Sequence, residues 1–277
     1  MKPSLERFAD LVSADEFDLA EASLMVAQDI YPDINVRAYL GRLDDMAAEI
    51  RRRIAVDAFS EQKVQALNYY LFSERGFSGN IEHYYDPRNS YLNEVIERRT
   101  GIPITLSILY IELGRRLGLN LHGISFPGHF LVKLTMKRGQ LVLDPFLGGE
   151  AQSESDLRQR LAKVLPAATA RNASLDHYLR PATPRQILAR VLRNLKNIYM
   201  RGARFENALA IMHRMLLVVP ESAAELRDRG MLYRQLDCFR PALTDLRDYL
   251  RRRPDAPDAS DVHTCIVELQ QACAKLN

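Results

Sequence analysis

The strongest constraint on this chain is a period. The pairs Ile198/Leu232, Tyr199/Tyr233, Phe205/Phe239, Ala208/Ala242, Leu209/Leu243, Leu216/Leu250 and Pro220/Pro254 are each 34 residues apart. An aromatic, a small alanine and a closing proline recurring in phase at that spacing specify stacked helical hairpins, because each hairpin has an apolar face that only a neighbouring hairpin can bury. Two such units plus a closing helix over about Ala259–Lys275 account for the last hundred residues. The chain is therefore expected to divide into residues 1–180 and a helical repeat region over 181–277.

The region before the repeats mixes two periods. Ser13-Ala14-Asp15-Glu16 has the form of a capping box and predicts a helix to about Ile30, ended by Pro32. Val36, Tyr39, Leu40, Leu43, Met46 and Ile50 recur at three and four, which predicts a second helix over about Asp33–Val56. Ser60 is placed to cap a third through Phe72, broken by Gly76 and Gly79. After the Asp86-Pro87 turn, Ser90 is placed to cap a short helix to about Arg99, and a further helix runs from Pro103 to Leu117 with Gly118 just past its end. Short apolar runs over Leu119–Ser125, His129–Met136 and Gln140–Leu143 then predict strands, the last two joined by a turn at Lys137-Arg138-Gly139. A helical N-terminal region, a helix leading into small antiparallel strands, and an all-α C-terminal part together make an α+β fold.

Composition narrows the function classes. Thirty-eight basic and 35 acidic side chains leave +3, too balanced for nucleic acid or an anionic membrane to be the main partner. Arg51-Arg52-Arg53, Arg98-Arg99, Arg115-Arg116 and Arg251-Arg252-Arg253 are read as solvated charges at helix ends. The three cysteines, Cys238, Cys265 and Cys273, show neither a pairing framework nor metal-ligand spacing, and the histidines share no ligand spacing either. No cofactor or metal is expected. No apolar run reaches signal-peptide or membrane-span length, so the expected location is the cytoplasm.

The residues that bear on chemistry lie between Arg98 and Phe146. Thiol acyl-transfer sites place a nucleophile at a helix N-terminus, where the macrodipole and free N–H groups lower its pKa, with a His as base and an Asp or Asn to orient it. His129 at a strand start and Asp144 at a strand end, across a hairpin, suit base and orienting acid. The helix N-terminus carries Pro103, which has no reactive side chain. Thr105 lies about 200° round the helix from Pro103, and Ser107 lies on the same face but about one turn deeper. Ser107 is thus the alternative nucleophile, for a hydrolase or acyl transferase using His129 and Asp144. Otherwise the His–Asp pair serves as a structural hydrogen bond or in recognition. Asp86, Arg88, Asn89 and Asn93, dense in hydrogen-bonding groups just before this helix, are candidate binding residues together with His129.

The phrases Gly76-Phe77-Ser78-Gly79-Asn80, Asp86-Pro87-Arg88-Asn89-Ser90-Tyr91-Leu92-Asn93, Arg98-Arg99-Thr100-Gly101-Ile102-Pro103-Ile104-Thr105-Leu106, Pro127-Gly128-His129-Phe130-Leu131-Val132 and Leu143-Asp144-Pro145-Phe146 occur in order. The stretch from about Asn68 to Gly149 resembles the second transglutaminase-like core family, found in bacterial proteins of the SirB type and in a eukaryotic F-box relative. The 34-residue units resemble tetratricopeptide repeats. The resemblance implies a cysteine-protease-like core, with Pro103 at the position of the catalytic Cys and with His129 and Asp144 matching the base and the orienting acid. It points to a non-catalytic protein with a vestigial cleft, binding a protein or peptide partner through that cleft and its repeats, with no nucleic-acid or membrane partner.

Overall fold

The computed structural model describes residues 3–137, 139–172 and 174–275. They divide into two compact units, one of residues 14–191 and one of residues 1–13 together with 192–277. Helix α1 (Pro3–Ser13) packs on α11 (Phe205–Val218), burying Phe8 and Val12, so the first residues belong with the repeats and not with the core that follows them. The expected capping box at Ser13 does not form. Ser13 ends α1, its hydroxyl turned back to donate to the Asp10 carbonyl at 2.7 Å, and Asp18 caps the next helix by accepting from Glu21 N at 2.9 Å.

In the larger unit, α2 (Leu19–Val26) is buried on nearly every side, and α3 (Val36–Arg51) starts at Asn35, whose side chain accepts from Ala38 N. Helix α4 (Ser60–Asn68) differs from the expected Ser60 cap: Ser60 is its first residue, and the Phe59 N–H is satisfied by Gln62 Oε1 at 2.9 Å. It runs into a π-helical turn over Tyr69–Glu74. Strand β1 (Ser78–Gly79) pairs in parallel with β2 (Thr100–Gly101), flanking α5 (Leu92–Arg98). Ser90 does not cap α5; it closes a short 3-10 turn over Pro87–Ser90, and Tyr91 stands at the helix start.

Helix α6 (Pro103–Arg116) is the centre of this unit, buried from Pro103 through Gly114. An unbroken buried run fits a helix enclosed on all sides: α2, α3, α4 and α5 pack on it, as do β3 (Leu121–Ile124) and β4 (Leu131–Thr135). With β5 (Gln140–Asp144) and β6 (Glu150–Ala151) these form an antiparallel sheet in the order β3-β4-β5-β6. The β4–β5 hairpin aligns Thr135 with Gln140, and Met136 N donates to Gly139 O at 3.1 Å; Arg138 of the expected turn lies outside the described residues. Helix α7 (Glu154–Val164) covers the sheet with Leu157 and Leu161, packed among Ile124, Phe126, Leu131 and Val142. Two short helices, α8 (Ala167–Asn172) and α9 (Leu175–Tyr178), lead to α10 (Pro184–Arg201), within which the chain passes from one unit to the other.

The repeat unit keeps its period to the level of single backbone angles. Helix α11 is followed by α12 (Ala223–Gln235), α13 (Phe239–Arg252) and α14 (Ala259–Lys275), so α11 and α13 start and end 34 residues apart. Each turn into them has one residue in the left-handed region, Ala203 at φ 50° and Asp237 at φ 55°. Each also has the same bond, Arg204 N to Tyr199 O and Cys238 N to Tyr233 O, both 2.9 Å. Ala242, Leu246, Tyr249, Val262, Cys265 and Leu269 form the core of the last three helices. Lys196, only 7% exposed, is neutralised by Glu225 at 2.6 Å and Asp228 at 3.0 Å.

Candidate functional site

His129 follows a tight turn in which its N–H donates to Phe126 O at 3.1 Å, and its own carbonyl accepts from Arg190 Nη2 at 2.7 Å. Asp144 ends β5 fully buried, and its carboxylate accepts from the backbone N of Phe146 at 3.1 Å. The two side chains meet: His129 Nε2 lies 2.9 and 3.0 Å from the two Asp144 oxygens. A third group joins them that sequence reasoning missed. Arg160, on α7, donates from Nη2 to Asp144 Oδ2 at 2.7 Å and to Gln152 Oε1 at 3.1 Å. No local signal marks Arg160 among the charged residues of α7; the clue was that a carboxylate buried beside a hairpin needs a counter-charge.

Phe146 fills the space on the other side of the imidazole. Its ring meets that of His129 edge-on, with centroids 5.9 Å apart at 80°. It also lies against β1 so closely that a Cβ on Gly79 would come within 2.7 Å of three ring carbons. Gly79 is the register partner of Gly101, two residues before Pro103. Phe146 thus packs between the strand pair that leads into α6 and the His–Asp pair. Its loop is tied down at Gly149, whose N donates to Asp144 O at 2.9 Å and whose carbonyl accepts from Asn68 Nδ2 at 3.1 Å. Gly149 sits at φ 78°, and a side chain there would collide with the Asn68 amide. Asn68 Oδ1 in turn accepts from Tyr110 OH of α6 at 2.7 Å.

At the helix N-terminus, Pro103 is buried at the first position after extended Ile102. The Thr105 hydroxyl donates to Asn89 O at 2.7 Å and accepts from Ile102 N at 3.2 Å. Ser107 has no exposed surface, and its hydroxyl has no hydrogen-bond partner among the described residues. It is not bonded to His129, whose ring partner is Asp144.

Of the binding candidates, Asp86 and Arg88 pair with each other through their side chains, and Asn89 joins them through its backbone, its N donating to Asp86 O at 3.0 Å. Asp86 accepts from Arg88 Nε at 3.0 Å and Nη2 at 2.7 Å, with Arg98 at 3.9 Å. Burial would raise the Asp86 carboxyl, and the Arg88 bonds outweigh it and hold the group below its usual range. Asn89, fully buried, donates to His83 O at 2.8 Å and Tyr84 O at 3.3 Å and accepts from Asn80 Nδ2 at 3.1 Å. These bonds shape the 80–86 loop, which presents Ile81, Tyr84 and Tyr85 at 76%, 38% and 64% exposure. Asn93 is apart from them on α5, 4% exposed, with Oδ1 unpartnered among the described residues.

An open pocket of about 430 Å³ adjoins the His–Asp pair, lined by His129, Leu147, Gln152, Gln159, Arg160 and Lys163 among others. Cations and carboxylates alternate round it, Arg160 and Lys163 with Glu150 and Asp156, so it carries no strong field of either sign. Burial, with Lys133 adding to it, lowers the basicity of His122, which lies in a separate pocket beside Glu112 and Arg115. Among the described residues no group of three His, Cys, Asp or Glu is arranged to hold a metal ion, and no helix is long and apolar enough to cross a membrane.

Comparison with known proteins agrees with this architecture. Residues 37–193 match the model of the transglutaminase-like superfamily, and residues 195–266 match the tetratricopeptide repeat. A UPF0162 protein of Xylella fastidiosa is 40% identical over 93% of this chain and 92% of its own length. A UPF0162 protein of Vibrio cholerae is 31% identical over 90% of this chain and 92% of its own length. Protein SirB1 of Salmonella typhimurium is 25% identical over 86% of this chain and 88% of its own length. A solved structure described as menin with its binding site for Mixed Lineage Leukemia protein covers 89% of this chain and 68% of that one at 12% identity and a TM-score of 0.41, too distant to carry an argument. With a transglutaminase-like core, tetratricopeptide repeats and relatives matched along nearly their whole length, the chain belongs to the UPF0162/SirB1 family of the transglutaminase-like superfamily.

Proposed function

We propose that this protein is a non-catalytic interaction module, in which a transglutaminase-like core without a nucleophile is joined to repeats that hold a protein or peptide partner. The observation that carries this reading is the α6 N-terminus. Pro103 occupies its first position and offers neither thiol nor hydroxyl, while Ser107 lies in the core with no exposed surface. A base can activate only a nucleophile within hydrogen-bond reach, and among the described residues the hydrogen bonds of the His129 ring go to Asp144 and none goes to a hydroxyl or thiol. Phe146, packed against the His129 ring, further supports a filled cleft. The repeats support the partner role, since stacked helical hairpins present extended surfaces to other chains. Met231 and Val267 stand 40% and 52% exposed on α12 and α14.

The reading is tested by treating the purified protein with a fluorophosphonate and locating adducts by mass spectrometry. Ser107 is expected to remain unmodified. A Ser107 adduct that disappears in His129→Ala would replace this reading with that of a serine hydrolase or acyl transferase.

A further inference from the structure

The geometry points to a peptide site in the transglutaminase-like unit, where a short extended peptide pairs main chain to main chain with Ala151 at the free edge of the sheet. The site uses none of the repeats, so it goes beyond the partner-binding reading above.

Strand β6 is the last of the four in its sheet. It pairs with β5 by setting Ala151 against Leu143 and Glu150 against Asp144. Gln152 N donates to Val142 O at 2.7 Å, which fixes the phase of the ladder. Hydrogen-bonded and non-bonded pairs alternate between antiparallel strands, so a bonded pair at 142 and 152 makes 143 and 151 the non-bonded pair. The Ala151 N–H and C=O therefore point away from β5, and among the described residues neither has a partner. Glu150, Ala151 and Gln152 all line the open pocket of about 430 Å³. Successive side chains of a strand alternate between its faces, so what these three residues share with one pocket is their backbone edge.

The same pocket is lined by one stripe of α7, made of Asp156, Gln159, Arg160 and Lys163. From Asp156 to Lys163 the stripe runs about 10 Å, the length of about three extended residues. Its chemistry selects against simple ions. Arg160 is held by Asp144 and Gln152, and Lys163 shares the pocket with the carboxylates of Asp156 and Glu150. The side-chain amides of Gln152 and Gln159 add neutral hydrogen-bonding groups. A peptide main chain matches such a wall. It is uncharged, it alternates donors with acceptors, and it supplies to Ala151 the two bonds that a further strand would make.

The test titrates the ¹⁵N-labelled full chain with acetyl-Ala-Val-Ala-amide, a capped tripeptide that offers main chain and little else. Saturable shifts of the Ala151 and Gln152 amides are expected. An analogue with every amide nitrogen methylated keeps the side chains and the lack of charge but cannot donate to the Ala151 carbonyl; it is expected to bind about tenfold more weakly. Ala151→Pro removes the outward N–H without touching the bonds to β5, and is expected to weaken the unmethylated peptide by a similar factor. If that variant misfolds, the methylated analogue on the wild type still decides. Absence of saturable shifts at Ala151 overturns the proposal, and so does equal binding of the two peptides. Shifts of the same amides on raising the protein concentration alone, with a doubled mass, would also overturn it by giving the edge to a second copy. None of these results depends on Ser107 labelling or on the repeats, so this inference and the non-catalytic reading fail separately.

Discussion

Replacing Gly79 by alanine tests whether Phe146 fills the space between the β1–β2 pair and the His–Asp site. The backbone tolerates alanine, because Gly79 is absent from the glycines in the left-handed region. The obstacle is steric: the new methyl would come within 2.7 Å of three carbons of the Phe146 ring. The residue has little freedom to retreat, since the Phe146 backbone N–H donates to Asp144 Oδ1 at 3.1 Å and its loop is tied through Gly149 to Asn68 at 3.1 Å. Overpacking of this kind costs about 1–3 kcal/mol, and the rigid loop places Gly79→Ala near about 2 kcal/mol. Phe146→Leu removes the clashing edge and costs stability by itself, leaving a partial cavity. In the double variant the methyl enters space the ring has vacated. The loss should then fall short of the sum of the single changes by about 1 kcal/mol or more, well beyond the scatter of independent sites. Urea unfolding followed by far-UV circular dichroism, fitted for all four proteins of the cycle, provides the numbers. Strict additivity would mean that Phe146 is not the group facing Gly79, and the filled-cleft description would be withdrawn.

Three further outcomes follow from the same contacts. Asn89→Ala removes the buried amide that holds the 80–86 loop and should cost about 2–3 kcal/mol, with faster amide exchange across that loop; unchanged exchange there would contradict its scaffolding role. Lys196→Met leaves buried Glu225 without its close cation and should destabilise the repeat unit by about 3 kcal/mol or more, read in the same urea assay; a neutral effect would show that the pair adds nothing. Glu49 accepts from Tyr70 OH at 2.8 Å and from Arg75, bonds that hold its carboxyl below its ordinary value of 4.5. A depressed carboxyl contributes stability above the unfolded value and loses it as pH falls through the folded one. The stability difference between wild type and Glu49→Gln should accordingly shrink as pH drops below 4.5, and a constant difference would contradict the assignment.

How legible the molecule is in its sequence depends on whether a feature repeats or is met by a single distant contact. The hairpin repeats were readable because the period imposes the same turn twice, down to the left-handed Ala203 and Asp237. The sheet over β3 to β5 and the buried α6 were readable from apolar runs of adequate length. Two-residue strands such as β1, β2 and β6 carry no period, so their pairing could not be read. Ser13-Ala14-Asp15-Glu16 misled because a capping box is a local pattern, whereas the apolar run that needed capping begins at Leu19, with Asp18 before it. At the site, His129 and Asp144 were expected to meet from predicted places at a strand start and a strand end; their side chains do meet, although β4 begins only at Leu131 and His129 lies in the turn before it. Their third partner, Arg160, was hidden because a helix sets its orientation toward them, 16 residues beyond Asp144. Asp86 and Arg88 looked like ligand groups in the sequence, yet most of their hydrogen bonding is spent on each other.

The central claim is that this protein works by holding a partner through its repeats, and the exposed side chains of α12 and α14 give the direct test. Arg234 and Glu268 bridge these helices at 2.7 Å, and Met231 and Val267 are the large apolar side chains they leave exposed. The measurement is quantitative affinity capture from the native cell with the full chain, comparing wild type with Met231→Glu/Val267→Glu after confirming an unchanged unfolding midpoint. The account expects specific partners retained by the wild type to fall by about tenfold or more, as 1.4 kcal/mol of lost binding would give. An identical set of partners at identical levels in the double variant would contradict it.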